Sequence, residues 1–154
     1  MDSITTIQSG IWNKNAVLKV EDIWNFGKWG FVCTETDVEA ENTTKAISIS
    51  EIMKRFNREE IDILKMDIEG AEYSVFADIF NSARKVALPF QISFESHWWH
   101  HNFYHTTLHQ QMFNELWKNG YRFLNHEFNP GDDTCVEWTL LPLYNRASGI
   151  KMLF

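Results

Sequence analysis

The chain has little of what several large protein classes require. Of its 154 residues only 14 are Lys or Arg against 21 Asp or Glu, a formal charge of −7, and no basic stripe interrupts that balance. Sequence-independent nucleic-acid binding draws its affinity from clustered positive charge that displaces counterions, so no nucleic-acid partner is expected. No apolar run reaches the length of a membrane span, and the opening MDSITTIQSG carries no basic segment followed by an apolar core. No membrane partner is expected, and a cytosolic location is the default. Cys33 and Cys135 fit neither a metal-ligand spacing nor a CxxC pattern. They read as buried thiols, with a disulfide as the lesser alternative. The sequon Asn42-Thr43-Thr44 matters only in a secreted chain, which nothing else in the sequence supports. Internal repeats and low-complexity runs are absent.

What is present is apolar and aromatic. Hydrophobic residues make up 44% of the chain and aromatics 15%, enough to offset the ordering entropy of a folded chain, and the length suits a single domain over 1–154. Short strands are expected around Ile4 to Ile7, Ala16 to Val20 and Phe31 to Thr34, then an exposed polar loop from Glu35 to Thr44. Ile47 to Phe56 starts extended and turns helical, with Ser50 read as the N-cap. Ile61, Ile63, Leu64, Met66 and Ile68 form a nearly continuous apolar run, the pattern of a strand buried on both faces. After Gly70, Ala71, Val75, Phe76, Ile79 and Phe80 recur at helical spacing, and after Pro89 the segment Phe90 to Glu95 alternates like a strand.

Further on, Tyr104, Leu108, Met112 and Leu116, flanked by Phe113 and Trp117, outline one apolar helix face that ends at Asn119-Gly120. Tyr121 to Phe128 and Cys135 to Leu143 alternate on either side of Asn129-Pro130-Gly131-Asp132-Asp133, which predicts an antiparallel hairpin. Strand, helix, strand, helix and hairpin together indicate an α/β sheet whose last strand runs antiparallel.

The chemistry concentrates at Lys65-Met66-Asp67-Ile68-Glu69-Gly70-Ala71-Glu72. Asp67 falls where the strand should end and Glu69 where the next helix should begin, the end of an α/β sheet at which ligands bind. Gly70 permits a tight turn. On spacing alone the two acids are as well explained by helix capping and the helix dipole as by a site.

The run IDILKMDIEGAEYSVF resembles the signature of the FkbM-type methyltransferases, in which a strand ending in lysine and a hydrophobe leads into D-[IV]-E-G-A-E. The agreement is near-continuous from Ile61 to Glu72. It is weaker over Ile47 to Met53, Phe94-Glu95-Ser96-His97 and Cys135-Val136-Glu137, where it is similar to the methyltransferase-like animal branch. The resemblance implies a Rossmann-like class I methyltransferase sheet, S-adenosylmethionine as methyl donor, and O-methylation of a small-molecule or glycan acceptor. It also implies that Asp67, Glu69 and Gly70 contact the cofactor. The family's strand followed by a glycine-rich cofactor loop is not found at Ser9-Gly10 or Trp29-Gly30. The chain is therefore expected to be an N-terminally truncated, C-terminal part of the domain, without that loop and the first strand–helix units. The alternative is a catalytically silent fragment that acts at most as a binding module. Oligomeric state is not legible.

Methyl transfer from a sulfonium needs alignment of donor and acceptor and, for a hydroxyl acceptor, a base. Asp67 and Glu69 at one strand end, with Glu95 and His97 at the next, are expected around one cleft. His97 serves as general base with Asp67, while Glu95, Trp98 and Trp99 line the acceptor pocket. The competing readings are a loop histidine bonded to backbone and two core tryptophans. His101, His105 and His109 recur every four residues along one helix face, yet neither a third ligand of another kind nor an HExxH pattern accompanies them. They read as a solvated or packed face, and no metal site is expected.

Overall fold

A computed structural model describes residues 4–25, 28–81, 88–97 and 103–143. The elements in chain order are β1 (Gly10–Ile11), β2 (Ala16–Asn25), β3 (Lys28–Thr36), β4 (Thr43–Ile47), α1 (Ile49–Arg55), β5 (Ile63–Met66), α2 (Glu72–Asn81), β6 (Gln91–His97), α3 (Phe103–Lys118), β7 (Tyr121–Phe128) and β8 (Cys135–Pro142). They form two four-stranded sheets, ordered β1-β4-β2-β3 and β5-β6-β8-β7.

The first sheet is dominated by a long antiparallel hairpin, in register from Val17 opposite Thr36 to Asn25 opposite Lys28. Its strands run well beyond the short stretches that alternation marks, because ladder hydrogen bonds propagate through residues of any polarity. The strand expected over Ile4 to Ile7 does not form. Ile4 stands almost wholly exposed and has no sheet face to enter. The loop expected over Glu35 to Thr44 narrows to residues 37–42, between β3 and β4.

Helix α1 is capped by Ser48, not Ser50. The Ser48 side chain accepts from the Glu51 amide at 3.2 Å, and the Ser50 hydroxyl lies 2.8 Å from that of Ser48 inside the first turn. Two serines two residues apart offer the same local signal, and burial of Ile49 and Met53 selects the earlier start.

In the second sheet β5 and β6 are parallel and joined through α2, while β8 lies antiparallel between β6 and β7. The hairpin expected from the Asn129–Asp133 turn is present, with a bulge between Phe123 and Asn125. The strand expected to be buried on both faces is corrected. Among the described residues β5 pairs only with β6, Met66 is buried and Leu64 packs on the core, but Ile63 is 62% exposed and Lys65 bridges Glu137 at 2.8 Å. Reading apolar residues in sequence hid the period of two, which puts Leu64 and Met66 inward and Ile63 and Lys65 outward.

Helices α2 and α3 cover the inner face of this sheet. Phe76, in α2, meets Phe94 of β6 edge-on at 4.9 Å between ring centres, and Met112 and Leu116 of α3 join Ile92, Tyr121 and Leu140 in the same cluster. The Tyr121 hydroxyl donates to the Pro89 carbonyl. The α3 face is the one its spacing predicts, except that Trp117 is largely exposed, with the Arg122 guanidinium stacked over its ring. Gly120 ends the helix at φ 88°, a conformation that favours glycine. No described helix is long and apolar enough to cross a membrane.

Candidate active site

Strand β5 delivers the chain to a tight turn before α2. Glu69 and Gly70 both take positive φ, at 55° and 91°. Gly70 adopts this conformation freely, whereas Glu69 adopts it at a cost, and strained residues of this kind gather where side chains must be aimed. The helix begins only at Glu72, so Glu69 belongs to the turn and not to the first helical position.

Glu72 is wholly buried. Its Oε1 accepts from the Ile68 amide at 2.9 Å and lies 3.2 Å from His97 Nδ1. Because the carboxylate oxygen is the acceptor in both contacts, the His97 Nδ1 carries the proton it donates. His97 is the last residue of β6 and is 3% exposed. The Tyr73 hydroxyl donates to the His97 carbonyl at 2.8 Å. That hydroxyl has a single proton, so His109 Nδ1, 3.2 Å away, is the donor to the Tyr73 oxygen.

The other ring nitrogen faces three more acids. His97 Nε2 lies 3.4 Å from Glu69 Oε2, 3.5 Å from Glu95 Oε2 and 3.7 Å from Asp67 Oδ1. Asn129 donates to the remaining oxygen of Glu95 at 3.0 Å and fixes that carboxylate from the hairpin turn. Four carboxylates therefore surround one imidazole at the carboxyl ends of two adjacent parallel strands. Asp67 and Glu69 open to solvent, while Glu72, Glu95 and His97 are buried.

Electrostatics follow from this crowding. Burial pulls the His97 pKa down, but the hydrogen bond it donates to Glu72 and the charges of Glu72, Glu69 and Glu95 outweigh it, and the net shift is upward. Glu69 is pushed up by burial and by its acidic neighbours, with the His97 charge opposing. The Cys135 thiol, on the strand opposite His97, is pushed up to about 12, chiefly by burial, and is no nucleophile in this setting. Burial lowers the pKa of His109, whose ring packs 4.8 Å from that of Phe113.

Asp67, Glu69, Glu95 and His97, expected around one cleft, do converge, and Gly70 lies in the turn that presents two of them. Trp98, Trp99 and His101 lie outside the described residues. His109 is a half-buried, hydrogen-bonded histidine packed against Phe113. Sequence reasoning passed over Glu72, the acid that orients the imidazole. Its signal was its place four residues after Ile68, from which a carboxylate at a helix start can reach back to an unpaired amide. On the other side of Asp67 a cavity of about 620 Å³ runs between α1 and β5, with Ile7, Ile11, Ile49, Met53 and Leu64 in its wall and Asp67 at its edge.

A strand-turn-helix with paired acids at a sheet's carboxyl end, a histidine from the next strand and an adjoining apolar cavity is the place in an α/β fold where ligands commonly bind. The family model for the methyltransferase FkbM domain matches residues 4–123, and the chain belongs to that family. No curated protein and no solved structure gives a significant match.

Glu72→Leu leaves the Ile68 amide and His97 Nδ1 without their acceptor and should lower unfolding stability by about 2–4 kcal/mol in urea titrations. Glu69→Gln removes a half-exposed carboxylate crowded by like charges and should be neutral or stabilising in the same assay. The His109 pKa is depressed on folding, so the unfolded chain takes up the proton first as pH falls and folding loses stability. The stability difference between the native chain and His109→Gln should therefore shift against the native chain as pH drops from about 7.5 to about 5.5. A constant difference would show that this imidazole titrates normally.

Proposed function

We propose that this chain acts as an S-adenosylmethionine-dependent O-methyltransferase on a hydroxyl of a small molecule or glycan. The carrying observation is the meeting of Asp67, Glu69, Glu95 and His97 at the carboxyl ends of β5 and β6, directly beside the α1–β5 cavity. The parallel β5–α2–β6 unit, closed by an antiparallel hairpin, supports a Rossmann-like methyltransferase sheet.

The residues present fit the donor. A cavity of about 620 Å³ is within the range of small-molecule sites, and its apolar wall suits a flat heterocycle. Asp67 and Glu69, with the Gly70 turn between strand and helix, supply acceptors for a ribose or amino group at the cavity edge. Bound there, the sulfonium supplies an activated methyl group that needs no further activation by the protein.

What remains for the protein is to hold the acceptor and take its proton. The carboxylates of Asp67 and Glu95 accept hydrogen bonds from hydroxyls. His97 Nε2, held in line by Glu72 on its other nitrogen, is aimed at the same point and removes the proton once its own is lost. A hydroxyl-bearing acceptor matches this lining better than an apolar one, because nearly every group pointing into the cluster is a hydrogen-bond acceptor.

Calorimetric titration of the full chain with S-adenosylmethionine and with its demethylated product tests the reading. Saturable binding that weakens about tenfold or more in Asp67→Ala is the expected result, corresponding to about 1.4 kcal/mol. A well-folded chain that gives no heat with either compound would leave only the silent binding module.

A further inference from the structure

We propose that Asp67, Glu69 and His97, with Glu95 beside the ring, form a binding site for one divalent transition-metal cation of the Mn²⁺ or Zn²⁺ type. The proposal reverses the expectation of no metal site, which considered only His101, His105 and His109. The ligands come instead from two strand ends that the fold brings together.

Three observations carry it. The first is distance. Three oxygens stand 3.4, 3.5 and 3.7 Å from one imidazole nitrogen. These spacings are longer than N–H···O hydrogen bonds, which cluster near about 2.9 Å. They lie close to the ligand–ligand edge of a tetrahedron with bonds of about 2.1 Å, which is about 3.4 Å. The donor atoms of Asp67, Glu69 and His97 all fall within 4.8 Å of one another, a three-ligand set, whereas Glu95 groups with His97 and Cys135.

The second observation is Glu72. It is fully buried, aims Oε1 at His97 Nδ1, and its Oε2 has no hydrogen-bond partner among the described residues. A carboxylate on the far nitrogen of a histidine fixes the ring so that the near nitrogen presents its lone pair to a metal. Asn129 does the same service for Glu95 from the other side.

The third is charge. Among the described residues, one imidazole carries at most a single positive charge against four carboxylates, two of them buried with it. A divalent cation at the point faced by Nε2 balances the cluster far better than a proton does. The single nitrogen among oxygens also selects the metal. Mg²⁺ and Ca²⁺ take oxygen shells, whereas Mn²⁺ and Zn²⁺ accept imidazole beside carboxylate.

The site rests on these residues and not on the methyl donor. If the enzyme reading also holds, the cation takes over His97 Nε2 as a ligand. Held there, a cation would supply Lewis-acid stabilisation of an acceptor oxygen in place of the imidazole base.

The test is calorimetry on the metal-stripped full chain with MnCl₂ and separately with ZnCl₂, with paramagnetic resonance of the Mn²⁺ sample, and without any methyl donor. One equivalent should bind, and Asp67→Asn and Glu69→Gln, at half-exposed positions and checked for an unchanged fold by circular dichroism, should each weaken binding tenfold or more. Glu41→Gln, in the exposed loop before β4, should leave it unchanged. No saturable binding of either ion, or binding indifferent to both cluster variants, would overturn the proposal. Metal binding without S-adenosylmethionine binding would sink only the methyltransferase reading, and the reverse only the metal site.

Discussion

The buried contact between Glu72 and His97 holds the candidate site together. Glu72 opens α2, the amide it captures belongs to the turn after β5, and His97 closes β6. One carboxylate therefore joins the turn after β5, the start of α2 and the end of β6. Burying a carboxylate carries a heavy desolvation cost, which is offset only because two donors converge on the same oxygen. Tyr73, one residue later, bonds the His97 carbonyl and so locks the strand end a second time. The imidazole is left with one nitrogen committed to Glu72 and the other facing Asp67, Glu69 and Glu95.

That division explains why the cluster tolerates so much like charge. Asp67 and Glu69 project from a turn whose backbone is set by Gly70 and by the positive φ of Glu69, and they are partly hydrated. Glu95 is buried but anchored by Asn129. Each acid has its own support, so their mutual repulsion is borne by the fold and remains available for a cation, a protonated ring or hydroxyl donors.

Much of this was legible in the sequence where local chemistry decides the outcome. The Asn129–Asp133 turn and its alternating flanks specify β7 and β8, and the spacing of Leu108, Met112 and Leu116 specifies the inner face of α3. The IDILKMDIEGAE run marks the strand-turn-helix and its family. Features set by tertiary partners were not legible. Whether Ser48 or Ser50 caps α1 depends on which start buries Ile49 and Met53. The one-sided exposure of β5 depends on its neighbours, and the length of β2 and β3 on their pairing. Glu72 resembled any acid in a first helical turn, because nothing local reveals that β6 will end against it. The meeting of four acids on one histidine is likewise a product of the sheet, which sets β5 beside β6 in register from Ile63 opposite Gln91 to Met66 opposite Phe94.

The most direct measurement of this arrangement is nitrogen-15 NMR of the six histidines, recording ring-nitrogen shifts and exchange of the ring protons with water. The account predicts that His97 shows a protonated, hydrogen-bonded Nδ1 whose proton exchanges slowly, in keeping with its burial against Glu72. A His97 ring whose two nitrogens exchange freely with solvent, with averaged shifts like those of an exposed histidine, would contradict it.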